Sequence, residues 1–127
     1  MSLRSPLGRV LGLGTSGGTH HWWMQRLSAL ALAPLGAWLA VALVMLPDHA
    51  YGTVHAWLAR PVHALLMLLL VPAAAYHSWL GVTVVVEDYV HHPARKLVLL
   101  VALQFAHLAL GAAALLAVLR VALGGAP

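Results

Sequence analysis

Three long apolar runs, separated by short polar segments, dominate the residue pattern of this chain. They cover residues 27–46, about 62–86 and about 97–119, and none contains a charged side chain. About 20 residues of α-helix cross the ~30 Å hydrocarbon core of a bilayer. With their flanking residues, the runs predict membrane-spanning helices at about 24–46, 56–87 and 95–120. The predicted fold class is all-α, an integral membrane three-helix bundle.

The segments outside the spans are short and rich in residues that disfavour helices. Five glycines lie within residues 1–21, which we therefore predict to be a flexible N-terminal arm. Residues 22–120 form the predicted membrane domain, and residues 121–127 form a short tail. Pro47 and Asp48 mark the turn between the first two spans.

The composition narrows the class of protein further. Of the 127 residues, 62% are hydrophobic and 8% are charged, whereas soluble domains carry roughly 25% charged residues. This excludes an ordinary soluble enzyme, a disordered tail and a surface-charged DNA-binding domain. Because the chain has no cysteine, it has no disulfide, no thiolate zinc site and no iron–sulfur ligands of its own.

The basic residues predict an orientation rather than a nucleic-acid partner. Five Lys or Arg residues lie in the N-terminal segment, at the start of span one and in the second loop. Two, Arg60 and Arg120, lie on the opposite side. Positive residues accumulate on the cytoplasmic side of a membrane. The N-terminus and the second loop are therefore predicted to be cytoplasmic.

His77 is a polar group in the interior of the second span. An imidazole in hydrocarbon requires a partner, because an unsatisfied polar group there is costly. The partner is either a hydrogen-bond acceptor on a neighbouring helix or a haem iron, for which histidine is a common axial ligand. The residues at helical spacing from His77 include the small Ala73, Ala74 and Gly81. Such a face admits either a flat macrocycle or another helix.

A second imidazole, that of His107, lies at a similar depth in the third span. Spans two and three are antiparallel neighbours joined by a short loop, so the geometry allows a haem held within this chain between His77 and His107. Ordinary packing against another helix is the alternative interpretation of His107, and the one we favour.

A carboxylate and a phenol, those of Asp88 and Tyr89, lie at the end of the second span. Tyrosine is common at membrane interfaces beside solvated acids, which is the simpler interpretation. The functional one is a quinone site, since a phenol can donate a hydrogen bond to a quinone carbonyl and a carboxylate can assist proton transfer.

Arg26 and Ser28 lie at the entrance to the first span, on the same predicted side as Tyr89. Arg26 either orients the helix by reaching the head groups or pairs with an anion such as a haem propionate. Ser28 adds a hydroxyl that could support such a site.

Three short blocks resemble the D-type membrane-anchor subunit of succinate dehydrogenase, respiratory complex II, in its proteobacterial form. They are HHWWMQRLSA at 20–29, HSWLG at 77–81 and EDYV at 87–90. The resemblance covers residues 18–92 well and span three only as an apolar helix.

The resemblance implies which residues serve which ligand. In that family, two membrane subunits bind one b-type haem between them, and His77 matches one axial ligand. Tyr89 matches a tyrosine that hydrogen-bonds ubiquinone, with Asp88 beside it. Arg26 matches an arginine near the haem propionates and the quinone pocket. His107 is not a ligand in the family.

The resemblance also implies partners and a role. The bundle is expected to be completed by a second, cytochrome b-type membrane subunit (C), and to dock an iron–sulfur subunit and a flavoprotein at the bacterial cytoplasmic membrane. Electrons from succinate would reach ubiquinone, linking the tricarboxylic acid cycle to respiration, with no succinate-oxidising centre in this chain. The alternatives are a fumarate reductase anchor, a stand-alone bis-histidine cytochrome b, and a cofactor-free structural or transport bundle.

Overall fold

The described part of the chain forms four helices. The computed structural model describes the backbone of residues 15–124 and the side chains of residue 20 and residues 22–124. The helices are α1 (Thr15–Val44), α2 (Tyr51–Leu58), α3 (Pro61–Tyr89) and α4 (Pro93–Ala122), with no strand in this part of the chain. Trp22–Val44 of α1, all of α3 and all of α4 are long and apolar enough to cross a membrane. The prediction of an all-α protein with three spans is confirmed.

Prolines determine where α3 and α4 begin. Pro61 and Pro93 each occupy the first turn of a helix, where the missing N–H would have had no intrahelical partner. A proline also disfavours the helical conformation of the residue before it. Arg60, with φ −70° and ψ 130°, is accordingly extended. The predicted second span, 56–87, is therefore divided, and its first residues belong to the short helix α2.

The outer ends of α1 and α4 differ modestly from the predicted boundaries. Helix α1 begins at Thr15, within the predicted arm, because extending an existing helix is far easier than nucleating one. Residues 1–14 and 125–127 of the predicted arm and tail lie outside the described residues. Helix α4 ends at Ala122, and Gly124 follows with φ +76°, the left-handed conformation that glycine adopts without strain.

Helix α3 is the central element, with α1 and α4 on either side of it. No Cα atoms of α1 and α4 approach within 8 Å of each other in the described chain. Both neighbours run antiparallel to α3. Between α3 and α4, the Lys96 ammonium group contacts the Glu87 carbonyl at one end. Further along, a Cβ on Gly111 would lie 3.4 Å from that of Ala75, so small residues bring the two helices close together.

The interior of the three-helix layer is small. Among the described residues, five side chains are buried, and four of these belong to α3: Ala64, Leu70, Leu80 and Val86, with Val118 on α4. Many large apolar side chains remain exposed on all three spans. A water-soluble domain does not leave such extensive apolar surface uncovered. This surface requires lipid or another membrane subunit around it.

Stacked aromatic rings tie α1, α2 and α3 together at the end of the bundle opposite Tyr89. The Trp38 and Trp57 rings stack with centroids 5.7 Å apart, and the His63 ring lies 4.6 Å from that of Trp57. In the turn leading to α2, hydrogen bonds with the Thr53 side chain and the Ala50 N–H lower the pKa of Asp48. These contacts hold the first loop against the spans.

Replacing Leu80 with alanine tests whether α3 organises the layer. Leu80 is 1% exposed, so Leu80→Ala leaves a cavity and should cost about 2 kcal/mol or more. Leu110→Ala is the matched control, because Leu110 is 72% exposed and its removal opens no cavity within the chain. We expect thermal unfolding in detergent to shift to a lower temperature only for Leu80→Ala. Equal shifts would contradict the central position of α3.

Candidate functional site

The His77 imidazole is held by a hydrogen bond between two helices. It projects from α3, is half-buried, and its Nδ1 lies 2.9 Å from the Ser28 hydroxyl of α1. The same hydroxyl donates to the Gln25 carbonyl at 3.0 Å. No hydrogen bond among the described side chains involves His77 Nε2. One nitrogen of the ring is thus held by the protein, and the other is available.

The contact with Ser28 also fixes the depth of His77. Ser28 lies six residues beyond Trp22, where the apolar part of α1 begins. That is about 9 Å along a helix axis. His77 therefore lies in the half of the bundle nearer Tyr89 rather than at its middle.

One of the small residues near His77 lies at the contact between α1 and α3. A Cβ on Gly81 would meet the Gln25 amide nitrogen at 3.6 Å, so Gly81 faces α1. Ala73 and Ala74 are half-buried on the same helix. The Gln25 amide oxygen is buried and has no hydrogen-bond partner in the described chain. The region next to His77 thus contains an unused acceptor as well as an unused imidazole nitrogen.

Both nitrogens of His107, by contrast, are occupied within the chain. Its Nδ1 lies 2.8 Å from the Leu103 carbonyl, which can only accept, so Nδ1 carries the proton. Its Nε2 then accepts from the Ser78 hydroxyl at 3.1 Å. Ser78 follows His77 directly, and successive residues point about 100° apart around a helix. His107 therefore packs against a different face of α3, as the packing interpretation expects.

Asp88 and Tyr89 are exposed at the carboxyl end of α3. Tyr89 is the last helical residue, and 79% of it is exposed. The Lys96 ammonium group donates to the Glu87 carbonyl at 2.9 Å. This places a positive charge near the end of α3, where the helix dipole favours one. A phenol, a carboxylate and an ammonium group therefore occupy one end of the bundle.

Arg26 lies on α1 close to the level of His77. Its guanidinium group lies 4.9 Å from the centre of the Trp22 ring, within the range of a cation–π contact. Arg26 follows Gln25, which is opposite Gly81, and Tyr89 lies eight residues, or about 12 Å, further along α3. The structure thus brings Arg26 and Ser28 to the level of His77 and leaves Asp88 and Tyr89 nearer the helix end.

Comparison with known proteins gives this arrangement a family. The model of the succinate dehydrogenase/fumarate reductase transmembrane subunit family matches residues 1–119. The chain belongs to this family. No solved structure matches.

Relatives within the family include several rickettsial proteins, each a succinate dehydrogenase hydrophobic membrane anchor subunit. That of Rickettsia conorii is 30% identical over 86 residues, which cover 66% of this chain and 68% of the relative. That of Rickettsia bellii is 33% identical over 73 residues, 58% of each chain. The Rickettsia prowazekii protein is 29% identical over 85 residues. The resemblance to a succinate dehydrogenase membrane anchor is thereby confirmed.

The residues beside His77 are compatible with one axial contact to a haem. His77 Nε2, which has no hydrogen-bond partner among the described side chains, would supply one ligating nitrogen to such a haem. The unused Gln25 oxygen and the small side chains next to His77 are consistent with a neighbour that the chain itself does not supply. The described residues contain no group of three or more His, Cys, Asp or Glu able to hold a bare metal ion.

Sequence reasoning missed two members of this transmembrane-subunit site. Gln25 supplies both the acceptor for Ser28 and the buried amide opposite Gly81. Lys96, one of the basic residues of the second loop that were used only to predict the orientation, contacts the Glu87 carbonyl near the end of α3. Helical spacing could have indicated Gln25, which lies three residues before Ser28 on the same face. Nothing in the sequence pairs Lys96 with Glu87.

Proposed function

We propose that this chain is a membrane-anchor subunit of succinate dehydrogenase that shares a b-type haem with a second membrane subunit and forms part of a ubiquinone site. His77 is the proposed axial ligand, and the available Nε2 of its oriented ring is the observation that carries the proposal. A haem bound there supplies a one-electron centre. His77 contributes the ligating nitrogen, and the α1–α3 contact holds its ring in place.

The second axial ligand is proposed to come from another chain. His107 has both ring nitrogens engaged with Leu103 and Ser78, so it is not available without breaking those contacts. The exposed apolar surface of the spans also leaves room for a partner in the membrane. A cytochrome b-type C subunit that supplies a histidine fits both observations better than a stand-alone bis-histidine cytochrome.

The quinone site is proposed at the Tyr89 end of α3. The exposed phenol can donate a hydrogen bond to a quinone carbonyl oxygen, and the Asp88 carboxylate can pass protons from water. Arg26 lies at the level of His77, and its guanidinium group can pair with a propionate of the haem. The polar groups at the helix end give the lipid-soluble acceptor a route to water that the apolar interior lacks.

Oxidation of succinate is assigned to partner subunits. The chain has no cysteine for iron–sulfur clusters. A flavoprotein and an iron–sulfur subunit would dock at the Tyr89 end, which the distribution of Lys and Arg predicts to be cytoplasmic. The family includes fumarate reductases, which carry electrons in the opposite direction. The relatives' names favour succinate dehydrogenase.

Replacing His77 and His107 in turn separates a haem shared with another chain from one held within this chain. We expect the complex carrying His77→Leu to lose its low-spin haem spectrum, because an axial ligand is removed. His107→Leu, the matched control in the neighbouring helix, should leave the absorption bands and haem content unchanged. Retention of an unaltered bis-histidine spectrum in His77→Leu would refute the assignment.

Removing the phenolic hydroxyl tests the quinone site. Tyr89→Phe should lower succinate–ubiquinone reductase activity roughly tenfold, the value of a hydrogen bond of about 1.5 kcal/mol. Succinate oxidation with an artificial dye acceptor should stay near wild type, since it bypasses the quinone. Tyr51→Phe makes the same change at the other end of the bundle and should affect neither activity. A parallel loss of both activities in Tyr89→Phe would argue against a quinone contact.

Single cysteines test the orientation, because the natural chain has none. Gly52→Cys and Ala94→Cys place thiols at exposed positions on opposite sides of the bundle. In intact spheroplasts, a membrane-impermeant maleimide should label this chain in Gly52→Cys only. Ala94→Cys should be labelled only after solubilisation in denaturing detergent, which also gives total labelling for both variants. The reverse pattern would show the opposite orientation.

A further inference from the structure

Among the described side chains, only the Ser28 hydroxyl forms a hydrogen bond with His77. It lies 2.9 Å from His77 Nδ1 and 3.0 Å from the Gln25 carbonyl oxygen. A carbonyl has no proton to give, so the single hydroxyl proton of Ser28 is donated to Gln25. The Ser28 oxygen is left as an acceptor toward the imidazole.

This arrangement fixes the tautomer of the neutral ring. Since the Ser28 oxygen accepts, His77 Nδ1 must be the nitrogen that carries the proton. A neutral imidazole has one N–H, so Nε2 keeps its lone pair. An unprotonated ring nitrogen is the form that binds a metal. The Gln25–Ser28–His77 chain thus selects the ligating tautomer with Nε2 as the donor atom.

His107 provides an internal comparison. Its Nδ1 also carries the proton, which a backbone carbonyl of its own helix receives. Its serine, Ser78, instead donates to Nε2 and occupies that lone pair. The two histidines therefore use a serine in opposite ways. Ser28 bonds Nδ1 of His77 and leaves Nε2 free to bind iron. Ser78 bonds Nε2 of His107, the nitrogen that would otherwise be free to bind iron.

We propose that Ser28 is a positioning residue that sets the tautomer, the ring orientation and the donor strength of His77. The proposal rests on the haem role assigned to His77 above. An acceptor on the distal N–H of a ligating histidine raises its basicity, and a more basic ligand favours the oxidised iron. Because the Ser28 proton is already donated to Gln25, its oxygen is a stronger acceptor than that of an isolated hydroxyl. Ser28 therefore lowers the reduction potential of the haem.

The test uses the whole purified complex with its haem. Ser28→Ala removes the acceptor and should raise the haem midpoint potential in a redox titration. A tenfold weakening confined to binding of the oxidised form corresponds to ~59 mV for a one-electron couple. The g values of the low-spin haem in electron paramagnetic resonance should shift as well, because they respond to the donor strength of the axial imidazole.

Two further variants control for packing. Ser28→Thr keeps the hydroxyl and should retain the wild-type potential and g values. Ser78→Ala removes the serine that bonds His107 and should change neither quantity. Unchanged potential and g values in Ser28→Ala, with haem retained, would overturn the proposal. So would the same shift in Ser28→Ala and Ser28→Thr, since the hydroxyl would then be irrelevant.

If Ser28→Ala does not assemble, Ser28→Cys replaces it, because sulfur is a weaker acceptor of similar size. Its potential should exceed that of Ser28→Thr, and equal values would overturn the proposal. Failure of the haem assignment itself is distinguishable. It would appear as a wild-type complex without haem, or as a normal spectrum in His77→Leu, whatever the Ser28 variants show.

Discussion

A polar group inside a bilayer has no water to bond, so either the protein or a bound molecule must satisfy it. This constraint forces the backbone into continuous helices, in which each residue bonds along its own segment. It applies equally to the imidazoles of the second and third spans. In His107 the chain satisfies both ring nitrogens itself. In His77 it satisfies only one, and the arrangement of α1 and α3 decides which.

The packing of the three spans indicates how Nε2 of His77 could gain a partner from outside the chain. Helix α3 contacts both neighbours, while α1 and α4 remain apart, and very few side chains are buried. A chain with so small an interior gains much of its order from what surrounds it. The proposed second membrane subunit would both cover this apolar surface and supply the second haem ligand. The haem would then lie between two chains, neither of which holds it alone.

The polar groups of the proposed site are separated along the bundle axis. His77, Ser28 and Arg26 lie at one level, and Tyr89 lies about 12 Å beyond the level of Gly81. Lys96 adds a positive charge at the helix end through its bond to the Glu87 carbonyl. Such a gradient, from an apolar region around the imidazole to a charged rim, suits electron transfer on the inner side and proton exchange on the outer side.

The sequence by itself determined the spans, because an apolar run of bilayer length has few other stable structures. It also identified the family, through short blocks in which Tyr89 follows His77 by twelve residues on one helix. Prolines 61 and 93 were visible, but the division of the second span depended on the backbone geometry of Arg60. The tertiary structure decided which serine bonds which histidine and that Gln25 lies opposite Gly81. It also decided that the Lys96 ammonium group bonds a carbonyl near the end of α3. These contacts join residues far apart in the chain, so they depend on the register between antiparallel helices, which the local pattern of each helix does not specify.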